Sequence, residues 1–322
     1  MRIVFMGTPD FAVPSLEALP GAGHDLVAVV TRPDRPRRHG GAAPEASPVK
    51  AAAARLGLPV EQPGTMRDPA FVAALACAAP EAIVVVAFGR ILTPDILALP
   101  PLGCVNVHAS LLPRYRGAAP IARAIMACET ATGVTTMRME RGLDTGDILL
   151  ERTCAIGTGE TAGELTTRLA VIGADLLVET LAALAAGALT PRPQDHAAAN
   201  WAPPLGRADG RLDWSAPAMA VAGRILGCNP WPIAEAGLRG GRIQILRAVA
   251  EPGPDPGAMA PAGTVLEAAG ERIVVACAPA SRVRILTLRL PGRRSLSARD
   301  AINGRMVRQG DLFTPPPGSA SD

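Results

Sequence analysis

Two polar side chains with complementary chemistry interrupt an apolar segment near the middle of the chain. Asn106 and His108 stand two residues apart within Cys104–His108, and their neighbours in that segment are apolar or thiol side chains. Side chains alternate between the two faces of a β-strand, so both polar groups project from one face if this segment is a strand. An amide donor beside an imidazole can polarise a carbonyl group. The spacing therefore indicates a site that acts on a carbonyl.

A second polar cluster follows at Arg141–Asp147, where two glycines permit unusual backbone angles and Asp144 stands in a position to direct a carboxylate from a loop. Taken alone, a histidine in an apolar strand is typical of a satisfied core residue. An aspartate in such a loop is typical of a turn cap. Together, Asn106, His108 and Asp144 favour an active site over either structural role.

Alternating strand and helix patterns in the first half of the chain position these residues. Apolar runs at Ile3–Met6, Leu26–Val30 and Ala82–Val86 predict strands, and segments with helical spacing separate them. This alternation predicts an α/β domain with a doubly wound, mostly parallel, Rossmann-like sheet. Open sheets of this type bind ligands at the carboxyl ends of their strands, which is where the Cys104–His108 segment ends.

The composition changes after a long helical pattern that ends at Gly187. Residues 189–207 are polar and rich in proline, which predicts a linker between a catalytic domain at 1–188 and a second domain at 208–314. Short β patterns separated by glycine and proline turns recur in the second domain and favour a small β-barrel. Residues 315–322 are predicted to form a disordered tail.

Composition and motif content exclude several classes of protein. The formal net charge of the 322 residues is +3, which is too small to indicate a polyanionic partner by itself. The six cysteines form no C-x-x-C pair and the four histidines show no ligand spacing, so no metal site is expected. No signal peptide or membrane-spanning stretch is evident, so we expect a soluble cytoplasmic protein. The fingerprint G-x-G-x-x-G is absent after the first strand, which disfavours nucleotide-dependent hydride transfer.

Longer segments of the chain resemble the methionyl-tRNA formyltransferases. These segments are Phe5–Ala12, Ser47–Lys50, Asn106–Ile121, Gly142–Asp147 and Asn229–Pro232. The resemblance runs in register from Met1 to about Phe313, and the string Asn106–Ile121 is highly specific. The trio of Asn, His and Asp alone is shared more widely, because formyltransferases that act on glycinamide ribonucleotide or amino sugars also carry it.

The resemblance implies that a formyl group passes from 10-formyltetrahydrofolate to the α-amino group of methionine on initiator tRNA. By this resemblance, Asn106 would donate a hydrogen bond to the formyl oxygen as negative charge develops on it. His108 would donate a second hydrogen bond or protonate the departing folate nitrogen. Asp144 would orient the imidazole or accept the proton of the amine, and both roles stay open. The chemistry implies neither a metal ion nor a covalent enzyme intermediate.

The resemblance also assigns residues to the folate co-substrate. The segment that lines the folate comprises Ser110, Leu111, Leu112 and Pro113, and the loop around the pterin contributes Phe88, Gly89 and Ile91. Backbone groups of that loop would read the donors and acceptors at the edge of the pterin.

The tRNA partner is expected to contact a basic loop and the linker. Loop 32–48 is long for a connection in an α/β domain and is strongly basic in the resembling family. Here Arg37 and Arg38 are the candidates, and the second half of the loop lacks the usual basic residues. The segment Trp201–Arg211, at the junction of the linker and the second domain, offers Arg207 and Arg211 as phosphate partners. The second domain resembles an OB-type barrel, a fold that often binds nucleic acid. Its arginines at 239, 242, 247, 293 and 294 are equally compatible with a solvated face.

Two other functions remain open at this stage. An amino-sugar or other small-amine formyltransferase would share Asn106, His108 and Asp144 and the same folate donor. A catalytically silent RNA-binding or folate-binding protein would not need to keep all three polar groups, so the trio argues against it. Monomer is the oligomeric state that the resemblance implies.

Overall fold

The computed structural model describes residues 1–34, 44–251, 260–278 and 280–316. The chain divides into two compact units. The first contains residues 1–117, 132–154 and 166–201, and the second contains residues 118–131, 155–165 and 202 onward. The predicted tRNA residues Arg37 and Arg38 lie outside the described ranges.

A seven-stranded sheet lies at the centre of the first unit. Its strands are β1 (Arg2–Gly7), β2 (Asp25–Val30), β3 (Val60–Glu61), β4 (Ala82–Val86), β5 (Cys104–His108), β6 (Ala131–Arg138) and β7 (Ile148–Ala155). Their order is β3-β2-β1-β4-β5-β6-β7. Pairing is parallel from β3 through β5, and β5 pairs with β6 antiparallel. The predicted doubly wound, mostly parallel sheet is therefore confirmed, with the strand order reversing between β1 and β4.

Helices surround this sheet and continue into the second unit. They are α1 (Val13–Gly21), α2 (Pro48–Arg55), α3 (Pro69–Cys77), α4 (Pro94–Leu97), α5 (Pro120–Met126), α6 (Ala162–Ala185), α7 (Ala218–Gly227) and α8 (Ala298–Asn303). Three-residue or four-residue 3-10 segments occur at Asp10–Ala12, His196–Ala198 and Arg207–Gly210. Helices α2, α3 and α4 each begin at a proline after a residue whose side chain accepts a hydrogen bond from the first turn: Ser47, Asp68 and Thr93.

Close packing holds the strand that carries the candidate site. Every residue of β4 and β5 is buried, as expected for central strands covered on both faces. Helix α6 approaches β5 at Gly173, where a Cβ would lie 3.0 Å from Cγ1 of Val107. A larger side chain at Gly173 would therefore push the helix away from the strand.

The second unit contains a curled antiparallel sheet, in agreement with the predicted barrel-like domain. Its strands are β8 (Ala234–Leu238), β9 (Gly241–Glu251), β10 (Val265–Ala269), β11 (Arg272–Cys277), β12 (Ser281–Arg289), β13 (Leu296–Ser297) and β14 (Phe313–Thr314). Their order is β10-β11-β12-β9-β8-β14, and β13 pairs with β12. The N–H of Phe313 donates to Gly263 O at 2.9 Å, and the N–H of Val265 donates to Asp311 O at 2.8 Å. These bonds join the two ends of the strand order, and α7 packs on the apolar core of the sheet.

Part of the predicted linker is folded into the first unit. Ile148 and Arg192 exchange two backbone hydrogen bonds of 2.8 and 2.9 Å, so the chain after α6 runs beside the start of β7. We call residues 192–200 the strap. Compact packing of the first unit extends to Trp201, beyond the expected boundary at 188. The division at 188 and 208 and the disordered tail stay predictions.

Candidate active site

Asn106 and His108 lie at the carboxyl end of β5 and project from the same face of the strand. They are 9% and 6% exposed, and in the antiparallel ladder they oppose Met137 and Thr135 of β6. The side-chain amide of Asn106 has no hydrogen-bond partner among the described residues. The amide is not among the fully buried unsatisfied groups, so it keeps some access to solvent and is available to a ligand.

The ring of His108 is held at one nitrogen by the backbone. Its Nε2 lies 2.9 Å from the carbonyl oxygen of Tyr115. A carbonyl oxygen can only accept, so Nε2 carries the hydrogen and Nδ1 is the unprotonated nitrogen of the neutral ring. Nδ1 lies 3.7 Å from Oδ2 of Asp144, which is longer than a direct hydrogen bond. The imidazole and the carboxylate are therefore neighbours without a direct hydrogen bond between them.

Asp144 lies in the loop between β6 and β7, as the glycine pattern predicts. Its φ is 55°, a left-handed angle that aspartate adopts more readily than most residues. Its Oδ2 accepts a 2.8 Å hydrogen bond from the N–H of Gly117, while Oδ1 has no partner in the described part of the chain. The end of the loop packs against the end of β6, since a Cβ at Gly146 would lie only 1.8 Å from Arg138 O. The site thus presents one free carboxylate oxygen near the imidazole.

The backbone segment 115–117 connects the two catalytic candidates. It provides the carbonyl that contacts His108 and the N–H that contacts Asp144. The strap holds this segment in turn: Oδ1 of Asn200 accepts from the N–H of Tyr115, and Asn200 O accepts from the N–H of Arg116 at 3.0 Å. Sequence reasoning missed Asn200 because its surroundings are polar and proline-rich, and no local pattern distinguishes it.

The strap also contacts the Asp144 loop through Gln194. Its Nε2 donates to Asp144 O at 3.0 Å and to Gly146 O at 2.7 Å, and its Oε1 accepts from the guanidinium of Arg116. Sequence reasoning missed this glutamine as well. A buried glutamine that follows a proline looks the same in the sequence as one exposed on a linker.

The residues predicted to line the folate lie on the exit from β5. The hydroxyl of Ser110 donates to Arg114 O at 2.6 Å, and Ser110 O accepts from Oγ1 of Thr135 at 2.7 Å. Leu112 packs with Met137 and Ile148. Ser110 and Leu112 therefore shape this loop. The half-buried neighbours, Leu111 and Pro113, have surface left for a ligand.

The residues predicted to surround the pterin follow β4, next to β5. Phe88 is buried, and its carbonyl accepts a 3.2 Å hydrogen bond from Oγ1 of Thr8. Gly89 has a φ of 72° and Ile91 is 82% exposed. A cavity of about 460 Å³ adjoins this loop, lined by Gly64–Arg67 and Arg90–Pro94. Phe88 can thus offer a ligand its backbone only, whereas Ile91 can offer its side chain.

Three further observations on the described residues concern other kinds of site. Among those residues no cluster of His, Cys, Asp and Glu could hold a metal ion. Nor does any described helix have the length and apolar character needed to cross a membrane. Burial raises the pKa of the Cys104 thiol, at the start of β5, to about 12. This thiol stays protonated near neutral pH and is a poor nucleophile.

The arginines of the second unit differ in their partners. Arg207 and Arg211 are exposed, and within the described residues no acidic side chain pairs with either. Arg293 and Arg294 are likewise exposed and free of ion pairs to described residues. Three others form ion pairs within the unit: Arg239 with Asp311, Arg242 with Glu235 and Arg247 with Glu164.

Comparison with known proteins identifies the family to which this chain belongs. Residues 1–181 match the family described as formyl transferase, and residues 204–306 match its C-terminal domain. The chain therefore belongs to the formyltransferase family.

Curated relatives narrow the assignment. The methionyl-tRNA formyltransferase of Heliobacterium modesticaldum is 51% identical over 97% of this chain and 100% of its own length. That of Solibacter usitatus is 46% identical over 97% of this chain and 98% of its own. Within the family, the chain thus groups with the methionyl-tRNA formyltransferases.

A solved structure shares the fold at much lower identity. An N-formyltransferase from Helicobacter canadensis, in complex with folinic acid and dTDP-3-aminofucose, aligns with a TM-score of 0.63 and 16% identity. The alignment covers 88% of this chain and 98% of that one.

Proposed function

We propose that this chain transfers the formyl group of 10-formyltetrahydrofolate to the α-amino group of methionine carried by initiator tRNA. The observation that carries the proposal is the 46–51% identity, over nearly the whole chain, to enzymes named for formylation of methionyl-tRNA. The positions of Asn106, His108 and Asp144 around one strand end support it.

The described residues fit the folate co-substrate, which supplies an activated formyl group when bound. The unpartnered amide of Asn106 matches a carbonyl acceptor, and the loop after β4 has a cavity beside it. The residues that would hold the folate are Phe88, Gly89, Ile91, Ser110, Leu111, Leu112 and Pro113. Of these, Ser110 would act by fixing the loop, because its hydroxyl is already bonded to Arg114 O.

Asn106 acts by donating an N–H to the formyl oxygen. Negative charge develops on that oxygen as the amine adds to the carbonyl. A buried donor that is already in place stabilises this charge without reorganisation of water. Loss of one such donor typically costs about 10²–10³-fold in rate.

Asp144 and His108 divide the proton transfers. The free Oδ1 of Asp144 accepts the proton that the attacking amine loses. That proton passes from Asp144 through water to the bare Nδ1 of neutral His108. The imidazolium formed in this way delivers the proton from Nδ1 to the leaving nitrogen, and both groups regain their starting states. Asp144 therefore serves as the base in this scheme and stabilises the imidazolium by its charge.

The tRNA binds through arginines outside the chemical site. Arg207 and Arg211 are exposed without ion pairs to described residues, so their charge is available to phosphates. Arg37 and Arg38 lie in the undescribed part of loop 32–48 and stay candidates. Binding through several arginines would weaken steeply with salt, because each phosphate contact releases counterions.

A substrate comparison tests the proposal. The purified protein is given 10-formyltetrahydrofolate with charged initiator tRNA, charged elongator tRNA, or a nucleotide-linked amino sugar, and formyl transfer is measured by mass. We expect efficient transfer to initiator methionyl-tRNA only. Transfer to the sugar alone would refute the proposal and support the small-amine alternative, and no transfer to any acceptor would indicate a silent binding protein.

A further inference from the structure

We propose that Gln194, oriented by Arg116, is a positioning residue that holds Asp144 in its productive place. The inference rests on the proposed function, because it assigns Asp144 a part in the reaction. Gln194 itself lies between the two regions that match the family: the first ends at residue 181 and the second begins at residue 204.

Gln194 bonds to two carbonyls of the loop that carries the catalytic carboxylate, one at Asp144 itself and one two residues later. Its Nε2 donates to the carbonyls of Asp144 and Gly146, so both amide hydrogens of the side chain are used. The glutamine is 6% exposed, and its bond to Gly146 O is buried. Without it, two carbonyls of the Asp144 loop would lose their donor away from bulk water, which favours rearrangement of the loop.

Arg116 fixes which end of the amide faces the loop. Its Nε and Nη2 donate to Oε1 of Gln194 at 3.1 and 2.6 Å, so Nε2 must point towards the Asp144 loop. Nη2 also contacts Nδ1 of His196 at 3.1 Å. Arg116 is 5% exposed, and among the described residues its side chain pairs with neutral acceptors and with no carboxylate. This buried positive charge polarises the amide and strengthens its N–H donors.

The loop that carries Asp144 has a backbone conformation that neighbouring residues must stabilise. Asp144 has a φ of 55°, and the return at Gly146 leaves no room for a Cβ. Its Oδ2 must meet the N–H of Gly117 while Oδ1 stays free. Arg116 directly precedes Gly117, whose N–H donates to the Asp144 carboxylate. The Arg116–Gln194 pair therefore connects the Asp144 loop to the backbone that bonds to its carboxylate. Small displacements at a reacting group can cost about 10²-fold in rate, so this connection matters for turnover.

Two substitutions separate positioning from stability. Gln194→Glu keeps an acceptor for Arg116 but cannot donate to the two carbonyls, and Gln194→Met removes both functions at similar size. The matched control is Thr180→Val, which removes a buried 2.8 Å hydrogen bond to Thr136 in the same unit. For each full-length variant, kcat and KM are measured with the acceptor that wild type uses best, together with the melting temperature.

We expect both Gln194 variants to lose about 10- to 100-fold in kcat while KM for each substrate changes by less than about threefold. Gln194→Glu should keep a melting temperature near that of wild type, and Thr180→Val should melt lower with kcat unchanged. Wild-type kcat in Gln194→Glu would overturn the proposal, as would a loss seen only as raised KM or matched by Thr180→Val. An inactive wild type would instead contradict the proposed function, so the two failures are distinguishable.

Discussion

The carbonyl oxygen of Tyr115 lies 2.9 Å from Nε2 of His108, and this contact fixes the tautomer of the ring. We expect neutral His108 to carry its hydrogen on Nε2 and to present a bare Nδ1 towards Asp144. Nitrogen chemical shifts of the ¹⁵N-labelled imidazole above its pKa report the tautomer directly. A neutral ring that carries its hydrogen on Nδ1 would remove the basis for proton transfer from Asp144 to His108.

Asn106→Asp tests the oxyanion donor. The substitution keeps the size of the side chain but replaces its N–H donors by an acceptor, so we expect kcat to fall by about 10²–10³-fold. The affinity for 10-formyltetrahydrofolate without an acceptor, measured by fluorescence titration, should change far less, because the bond to the formyl oxygen strengthens mainly as charge develops on it.

The control is Asn303→Asp. Asn303 is exposed on α8, so this variant makes the same chemical change away from the site and should leave kcat unaltered. A loss of folate affinity as large as the loss of kcat in Asn106→Asp would show that Asn106 binds the ground state.

Arg207→Ala and Arg211→Ala test contact with the tRNA. Each should lower kcat/KM for charged tRNA and reduce the slope of log affinity against log salt by about one, with KM for the folate unchanged. Steady-state kinetics over a series of salt concentrations measures both effects. The control is Arg55→Ala, because Arg55 is exposed but paired with Glu17. An unchanged slope in both variants would place the phosphates elsewhere.

We expect the carboxyl of Asp209 to contribute to the stability of the fold in a pH-dependent way. Burial by itself raises the pKa of this carboxyl, but hydrogen bonds from Arg123 and from the N–H of Gly206 more than offset it, so the pKa lies below that of an ordinary aspartate. A lowered pKa stabilises the folded state above the unfolded pKa, and this stabilisation is lost as pH falls through the folded pKa. Asp209→Asn should therefore cost about 1–3 kcal/mol near pH 7 and progressively less below pH 4.

Urea unfolding at several pH values measures this difference. Asp25→Asn is the control, since its partner Arg2 lies 3.5 Å away at an exposed position where ion pairs contribute little. A cost for Asp209→Asn that is the same at pH 3 and pH 7 would contradict the assignment.

The sheet and the central residues could be predicted because their signals are local. Apolar runs identify β1, β4 and β5, and the two-residue spacing of Asn106 and His108 gives their shared face without any tertiary information. The position of Asp144 follows from its glycine-rich loop. These features depend only on neighbours within a few residues in the sequence.

The strap could not be predicted because its signal is entirely tertiary. Gln194 bonds to a loop 50 residues earlier, and Asn200 bonds to Tyr115 85 residues earlier. Its polar, proline-rich composition is that of a solvated linker, and no periodicity distinguishes polar side chains that turn inwards. The tautomer of His108 was equally hidden, since it depends on a carbonyl beyond the end of β5.

The strap determines where this chain could be recombined with a relative. A fragment ending at residue 188 would retain Asn106, His108 and Asp144. It would lack Asn200, which bonds to Tyr115, and Gln194, which bonds to the Asp144 loop. Exchange of the C-terminal domain between family members should therefore conserve function only when the junction follows Trp201, where the first compact unit ends. Residues 192–200 thus belong with the first compact unit, although the chain passes through them on its way to the second.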